Sequence, residues 1–408
     1  MKVLIINVVC GIRSTGRICT ELAVELEKQG HEVKIAYGRE EVPDRYQKYA
    51  VRIGNDLDVR VHALKSRLLD QSGFGSIFAT KKFIRWAEAY NPDLLWLNNL
   101  HGYYINIEEL FAWIKLRPQM KTVWTLHDCW AFTGHCAYFS FINCKKWMCL
   151  KNDNLKGCYN CPQKSQYPKS YVDNSKTNFI RKRKAFSNVK NLKIITPSKW
   201  LKDTVSDSFL GDYPISVINN CINSELFKIT HSNFKEEYGI KDKKMILGVA
   251  NVWEPRKGLE DYIELSFRLD EEKKFQIVLV GLSAKQIKEI HDRNINILAL
   301  PVADGEEKLA KIYSAADVFL NLTKEDNYPT VNLEARACGL RVVTYNTGGS
   351  PEAAGDNGIV VERGDIEGVI KGIQTAIKDV SMKNNSDISI NVISKNNFIN
   401  DYLSCFLE

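Results

Sequence analysis

The feature that most constrains the fold of this chain is an alternation. Strand-length apolar runs return again and again, each separated from the next by residues at helical spacing. The first is VLIINVV (3–9); the loop CGIRSTGR follows, then ICTELAVELEKQG, where Ile18, Leu22 and Leu26 recur one turn apart and Gly30 offers a stop. HEVKIAYG, DLLWLNN, TVWTLHD, LKIIT and ISVINN repeat the apolar theme. Runs this continuous suit strands covered on both faces, and strands joined by helices run parallel. The expectation is an α/β fold with doubly wound sheets.

At 408 residues the chain exceeds a single core of ordinary size. The polar stretch HSNFKEEYGIKDKK (231–244) precedes a fresh strand, MILGVANV, and FQIVLVG, INILALP, DVFLNLT and RVVTYNT continue the pattern. This predicts a first Rossmann-like domain over 1–230, interrupted by a Cys-rich insert over 129–169. A second would span 231–390, and a C-terminal helix over 391–408 would pack back on the first domain. Ligands of such sheets bind outside the carboxyl ends of the strands.

No run of 18 apolar residues is present to span a bilayer, and MKVLIINVVC lacks the features of a signal peptide. A cytoplasmic protein is expected. The net charge of +7 is modest, and no nucleic-acid recognition motif accompanies it, so nucleic acid is not an expected partner. The densest basic run, Arg181 to Lys184, suits either anionic lipid headgroups and phosphates or a solvated helix face. Eleven cysteines are present, and six crowd between Cys129 and Cys161. In a cytosolic protein that clustering favours metal or redox chemistry over a disulfide framework.

KEDNYPTVNLEARACG (324–339) follows the apolar run DVFLNLT. Pro329 suits a first helical position, so the amides near Thr330, Val331 and Asn332 would point out of a helix N-terminus, where anions bind. Asp326 on the loop and Glu334 one turn into the helix would repel a bare phosphate. They make sense holding hydroxyls joined to that phosphate, as in a nucleotide sugar; the plainer alternative is that they only stabilise the first helical turn.

The run D-x7-E followed by ARACG resembles the E-x7-E element of glycosyltransferase family 4, retaining enzymes of GT-B fold, with Asp326 in place of the first Glu. ANVWEPRKGLEDYI resembles the same family's GR-x-x-x-E/R-KG element, with Lys257 matching its Lys, Arg256 beside it, and Asn251 standing where Arg is usual. TGGSPEAAGDNGIVVERGD, TPSKWL and VINNCINSELF resemble further elements of that family, in order along almost the whole chain. The resemblance implies two Rossmann-like domains facing a central cleft. It implies catalytic roles for His127, Asp326 and Glu334. Donor contacts would come from Gly16, Asn251, Arg256, Lys257, Pro301, Val302, Asn327, Tyr328, Pro329, Thr330, Val331, Asn332 and Glu334. Asp128 is read as orienting His127. Gly16, at the start of the first helix, is the expected point of close backbone approach.

The implied reaction is transfer, with retention, from a nucleotide diphosphate sugar to an oligosaccharide acceptor. That acceptor is expected to be polyprenyl-diphosphate-linked, in bacterial capsule or exopolysaccharide assembly at the inner face of the membrane. An anionic membrane surface is thus an expected partner. No D-x-D pair sits on a strand end, so no catalytic metal is expected. The rivals are a nucleotide-sugar epimerase of the same fold and a non-catalytic sugar-nucleotide-binding protein.

Within the insert, Cys136, Cys144, Cys158 and Cys161 form the best four-thiolate set for a structural zinc, anchored by the CxxC pair. His135, Cys129 and Cys149 are spare ligands, and reduced, unpaired thiols are the alternative. HDCWAFTGHC resembles an insert of polysaccharide-assembly members of the family. Because it follows His127 directly, it is expected to border the acceptor side.

Overall fold

A computed structural model of the chain describes residues 1–148, 157–269, 274–378 and 395–407. It divides into two units, Met1–Ile218 with Ile399–Glu408, and Asn219–Phe398.

The first unit is built on seven parallel strands, β1 (Lys2–Asn7), β2 (Glu32–Tyr37), β3 (Ala50–Arg52), β4 (Leu94–Leu97), β5 (Lys121–Thr125), β6 (Leu192–Thr196) and β7 (Ile215–Val217). They lie in the order β3-β2-β1-β4-β5-β6-β7. The second unit carries β8 (Lys244–Val249), β9 (Phe275–Val280), β10 (Ile297–Leu300), β11 (Val318–Asn321), β12 (Val342–Tyr345) and β13 (Ile359–Val361), in the order β10-β9-β8-β11-β12-β13. Every pairing is parallel, with helices as crossovers. Strand order reverses between β1 and β4 in one sheet and between β8 and β11 in the other, and a reversal of this kind opens a crevice at the carboxyl ends.

The division between units falls before the polar stretch at 231–244. Ile222 and Phe227, ahead of it, and Phe234 and Ile240, within it, are all buried in the core of the second unit. A segment that reads as a linker by its polarity is thus tied down by a few spaced apolar residues.

The insert has more core than its composition suggests. Trp130, Phe132, Phe139 and Trp147 are buried in the main cluster of the first unit. Phe139 and Trp147 lie 4.6 Å apart between ring centres, and Phe132 meets Trp147 edge-on at 5.4 Å. The basic run is divided: Arg183 and Lys184 are exposed, but its first two members are engaged by the protein. Arg181 makes a two-point ion pair with Glu108, and Lys182 is 1% exposed, donating to the carbonyls of Trp130 (2.7 Å) and Thr133 (3.1 Å).

The C-terminal helix, Lys395–Leu407, packs on the first sheet through its residues from Ile399 on. Trp96 alternates away from Leu95 and Leu97 and packs at a tilt against Tyr402 (5.1 Å between ring centres) and Phe406 (5.4 Å). The Trp96 indole donates to Thr125 Oγ1 at 2.9 Å, Thr125 meets the Tyr402 hydroxyl at 3.2 Å, and Lys121 Nζ donates to the Phe406 carbonyl at 3.1 Å. Truncating Phe406 to Ala should therefore cost about 3 kcal/mol, and Tyr402→Phe, which removes one hydroxyl, about 1 kcal/mol. Urea unfolding followed by tryptophan fluorescence checks both, and equal effects would contradict this packing.

Candidate active site

Three loops meet at the carboxyl end of β8, β11 and β12. After β8 the chain makes a short turn, Pro255–Lys257, ended by Gly258 at φ +77°. A side chain at Gly258 would strike the Leu322 carbonyl, so only glycine lets the two loops touch. The Lys324 N–H donates to the Arg256 carbonyl at 2.6 Å. On the other side Thr347 Oγ1 donates to the Thr323 carbonyl (2.6 Å) and the Gly349 N–H to the Asp326 carbonyl (2.9 Å).

This knitting brings Lys257 Nζ to 2.5 Å from Asp326 Oδ2 and Arg256 Nη1 to 3.3 Å from the same oxygen. Arg256 also donates to the Glu325 carbonyl at 3.0 Å. Burial alone would push the Asp326 carboxyl up; Lys257 and Arg256 outweigh it and hold the group below the usual carboxylate range. Lys257 is pulled below an ordinary lysine by burial, with Asp326 opposing and Arg256 adding to the shift. The shift on Asp326 favours its charged form while burial works against the charge on Lys257; the contacts of one carboxylate oxygen with two cations are what hold the pair together.

Beside this pair begins the helix Thr330–Ala337. Pro329 is its N-cap rather than its first helical residue: its ψ of 114° is extended, and its carbonyl accepts from the Asn332 N–H at 3.1 Å. The helix has no side-chain cap and no acid in its first turn. Its N-terminal amides thus emerge close to two cations, a combination suited to an anion. Glu334, half-buried, accepts from the buried Tyr313 hydroxyl at 2.9 Å.

Asn332, expected at the donor, turns inward instead. It accepts from Asn321 Nδ2 (2.7 Å) and donates to the Ser350 carbonyl (3.1 Å), while Thr344 Oγ1 meets Ser350 Oγ at 2.8 Å. This buried network holds the helix to β11, β12 and the next helix, so Asn332 positions the N-terminus. Asn327 and Tyr328 are also buried, and the Tyr328 carbonyl accepts from Asn220. Thr330 and Val331 are half-buried at the helix start; Asn251, Pro301 and Val302 are exposed at the carboxyl ends of β8 and β10. None of these last three is drawn to Asp326 by a hydrogen bond.

In the first unit, the helix Arg13–Lys28 starts five residues earlier than the loop Gly11–Arg17 implies, which places Gly16 inside it. A Cβ there would lie 3.0 Å from Val9 Cγ2 and 3.2 Å from the Gly11 nitrogen, so the close approach that Gly16 permits is to the chain's own turn. His127 Nε2 meets Asn98 Oδ1 at 3.0 Å. Its imidazole is pulled down to about 4, by burial first and by His101 as well, with Asp128 opposing. Asp128 does not orient His127 through a hydrogen bond: it bonds His101 Nε2 at 2.8 Å and accepts from the Trp130 N–H at 2.9 Å. His101, whose Nδ1 meets the Tyr167 hydroxyl at 2.9 Å, was missed in the sequence. Its signal was position, just past the carboxyl end of β4.

Cys136, Cys144, Cys158 and Cys161 line one cavity, with Thr133 and His135. The Cys136 and Cys161 thiols are hydrogen-bonded, and the Gly134 N–H donates to Cys158 Sγ at 3.2 Å. His135 Nδ1 lies 2.5 Å from Asp70 Oδ1, leaving Nε2 buried with no partner among the described residues. As they stand, no three His, Cys, Asp or Glu side chains among the described residues are arranged to hold a metal ion. Cys149 lies outside those residues.

Comparison with known proteins agrees with this architecture. The chain is 24% identical over 307 residues, 72% of its length and 69% of the relative's, to the colanic acid biosynthesis glycosyl transferase WcaC of Escherichia coli K12. It is 24% identical to the capsular polysaccharide biosynthesis glycosyltransferase CapM of Staphylococcus aureus, over 47% of this chain and 53% of that one. Among solved structures, sucrose-phosphate synthase of Thermosynechococcus elongatus superposes with a TM-score of 0.65 at 16% identity, covering 99% of this chain and 94% of that one. Anabaena HepE in complex with UDP and glucose gives 0.64 at 16%, covering 100% and 99%. Residues 231–392 match the family described as Glycosyl transferases group 1, and residues 15–226, more than half of the chain, match Glycosyltransferase Family 4. The chain is a member of Glycosyltransferase Family 4.

Proposed function

We propose that this glycosyltransferase moves a sugar from a nucleotide diphosphate donor to a glycan acceptor with retention of configuration, and that the acceptor is lipid-linked. The observation that carries the donor reading is the meeting of Lys257 and Arg256 beside the uncapped N-terminus of the helix Thr330–Ala337. As the sugar leaves, negative charge grows on the diphosphate, and cations and amides already aimed there lower the barrier without reorganising. Glu334 and Asp326 take hydroxyls of the donor. Relatives named for colanic acid and capsular polysaccharide biosynthesis support a surface glycan as the product.

Asp326 and a diphosphate are two anions drawn to the same cations. Removing Lys257 (Lys257→Ala) should weaken nucleoside diphosphate binding roughly 10- to 100-fold, the worth of a charge-assisted hydrogen bond. Asp326→Asn should bind the free nucleoside diphosphate at least as tightly as wild type while turnover of the nucleotide sugar collapses. Titration calorimetry with UDP, GDP, ADP and dTDP, and proton NMR of the product anomer, read these outcomes. Wild type binding none of the nucleotides, or an inverted product, would overturn the reading.

A structural zinc in the insert belongs to the same proposal. It is supported by four thiols lining one cavity and by the partnerless Nε2 of His135, whose other nitrogen faces a carboxylate as in many zinc-bound histidines. Protein purified under reducing conditions should carry about one zinc per chain, lost in Cys158→Ser with Cys161→Ser; metal-free wild type would end the idea.

The pH dependence has a definite sign. His62 and His127 are both pulled down to about 4, chiefly by burial. The unfolded chain takes up a proton at each near pH 6.5, so below that pH it binds more protons than the folded chain. Stability should fall as pH drops from about 6.5 towards 4. Imidazole NMR should show His127 still neutral at pH 5.5; titration near 6.5 would contradict its burial.

A further inference from the structure

The helix Asp56–Leu69 lies on the first unit with its polarity reversed. Its fully buried residues are polar, His62 and Ser66, and of its apolar residues only the smaller Val59 and Ala63 are half-buried, Val59 against the core. His62 Nε2 accepts from the Gly73 and Gly75 amides at 3.2 and 3.0 Å, and Nδ1 meets Ser76 Oγ at 2.9 Å. Its outward residues are apolar. Leu57, Val61, Leu64 and Leu68, spaced four, three and four apart, form one stripe and are 69, 56, 57 and 48% exposed. Phe78, at the start of the next helix, is 89% exposed, and Tyr171 and Val172 are exposed beside the helix's far end, where the Tyr171 N–H donates to the Arg67 carbonyl at 2.8 Å.

The charges on this helix are as one-sided as its apolar residues. Its two acids are occupied at the N-terminal end, Asp56 by Arg52 and Asp58 in a capping box with Asn55. Arg60, Lys65 and Arg67 are exposed around the stripe and pair with no carboxylate among the described residues. The surface is therefore apolar in the middle and cationic at its edges.

We propose that this face docks on an anionic lipid bilayer, with the stripe lying among the upper acyl chains and Arg60, Lys65 and Arg67 at the lipid phosphates. Lysine and arginine stems suit that depth because they keep the charge in the headgroup layer while their carbons stay among the apolar residues. A second copy of the chain is a poorer occupant, because a two-fold pairing of this face would bring the same three cations against each other. The inference does not depend on the donor reading, and its test uses no nucleotide.

The experiment is co-sedimentation of the full chain with phosphatidylcholine vesicles, with and without phosphatidylglycerol. Wild type should pellet with the anionic vesicles, far less with the neutral ones, and less as salt rises. Leu64→Asp with Leu68→Asp should reduce binding at least about tenfold. Its thermal midpoint should stay unchanged, since both side chains are already in water. Arg60→Glu with Lys65→Glu should abolish the preference for anionic lipid. Wild type that stays in solution with both vesicle types would overturn the proposal, as would a leucine variant that binds normally. A wild type that is dimeric by ultracentrifugation, turns monomeric in the leucine variant and ignores vesicles would assign the face to self-association instead.

Discussion

A parallel sheet brings all of its strands out at one edge, and both units of this protein are organised by that constraint. In each, the two central strands send their crossovers in opposite directions, so the loops that follow them diverge and leave a crevice. In the second unit those loops carry Lys257 and Asp326; in the first, the corresponding strands β1 and β4 are followed by the Gly11 turn and by Asn98 and His101. Chemistry collects at these places because backbone is free there to make side chains converge, while the strands hold the loop roots still.

What makes the second crevice specific is a balance of charge. Two confined cations would repel each other and lose hydration; one carboxylate between them offsets both costs. The site is therefore poised rather than merely positive. A diphosphate could replace Asp326 at the cations with little loss, whereas a neutral ligand could not. The loops can hold this arrangement because they are bonded to one another through backbone groups, Lys324 to Arg256 and Gly349 to Asp326, and because the network of Asn321, Asn332, Thr344 and Ser350 fixes the helix start.

The parallel strands and the helix behind Pro329 follow from patterns within short stretches, and those were legible in the sequence; Lys257 and Asp326 were each marked by resemblance, but their contact across 69 positions was not. What was not legible depends on long-range packing. Whether a basic run faces water depends on what lies beneath it, and Lys182 lies over Trp130 at 3.5 Å, buried between two carbonyls. Whether Asp128 serves its neighbour His127 or His101 depends on how β4 and β5 end side by side. Asn332 reads as a ligand contact because of where it sits in the helix, yet its side chain is used by residues 11 and 18 positions away. The stripe on Asp56–Leu69 is visible in its spacing, but spacing cannot say that the polar side is the buried one.

That reversal has a cause in the way the helix is fastened. Asp70 ends it in a left-handed conformation at φ +53° and is itself buried, with its carboxylate shared between His135 and the Asn174 N–H. The Arg67 carbonyl accepts from Tyr171 and from Ser170 Oγ, and the Asp70 carbonyl from Asn178. At the middle, His62 is held by the amides of Gly73 and Gly75 and by Ser76. The Gly75 position admits no side chain, because one would strike the His62 ring. These anchors are polar and directional, and Val59 adds an apolar contact with the core, so the helix is fixed without burying a single leucine of its stripe. An apolar anchorage would have turned those leucines inward; a polar one leaves them facing out, and it does so on the segment that also carries the footing of the cysteine-rich insert.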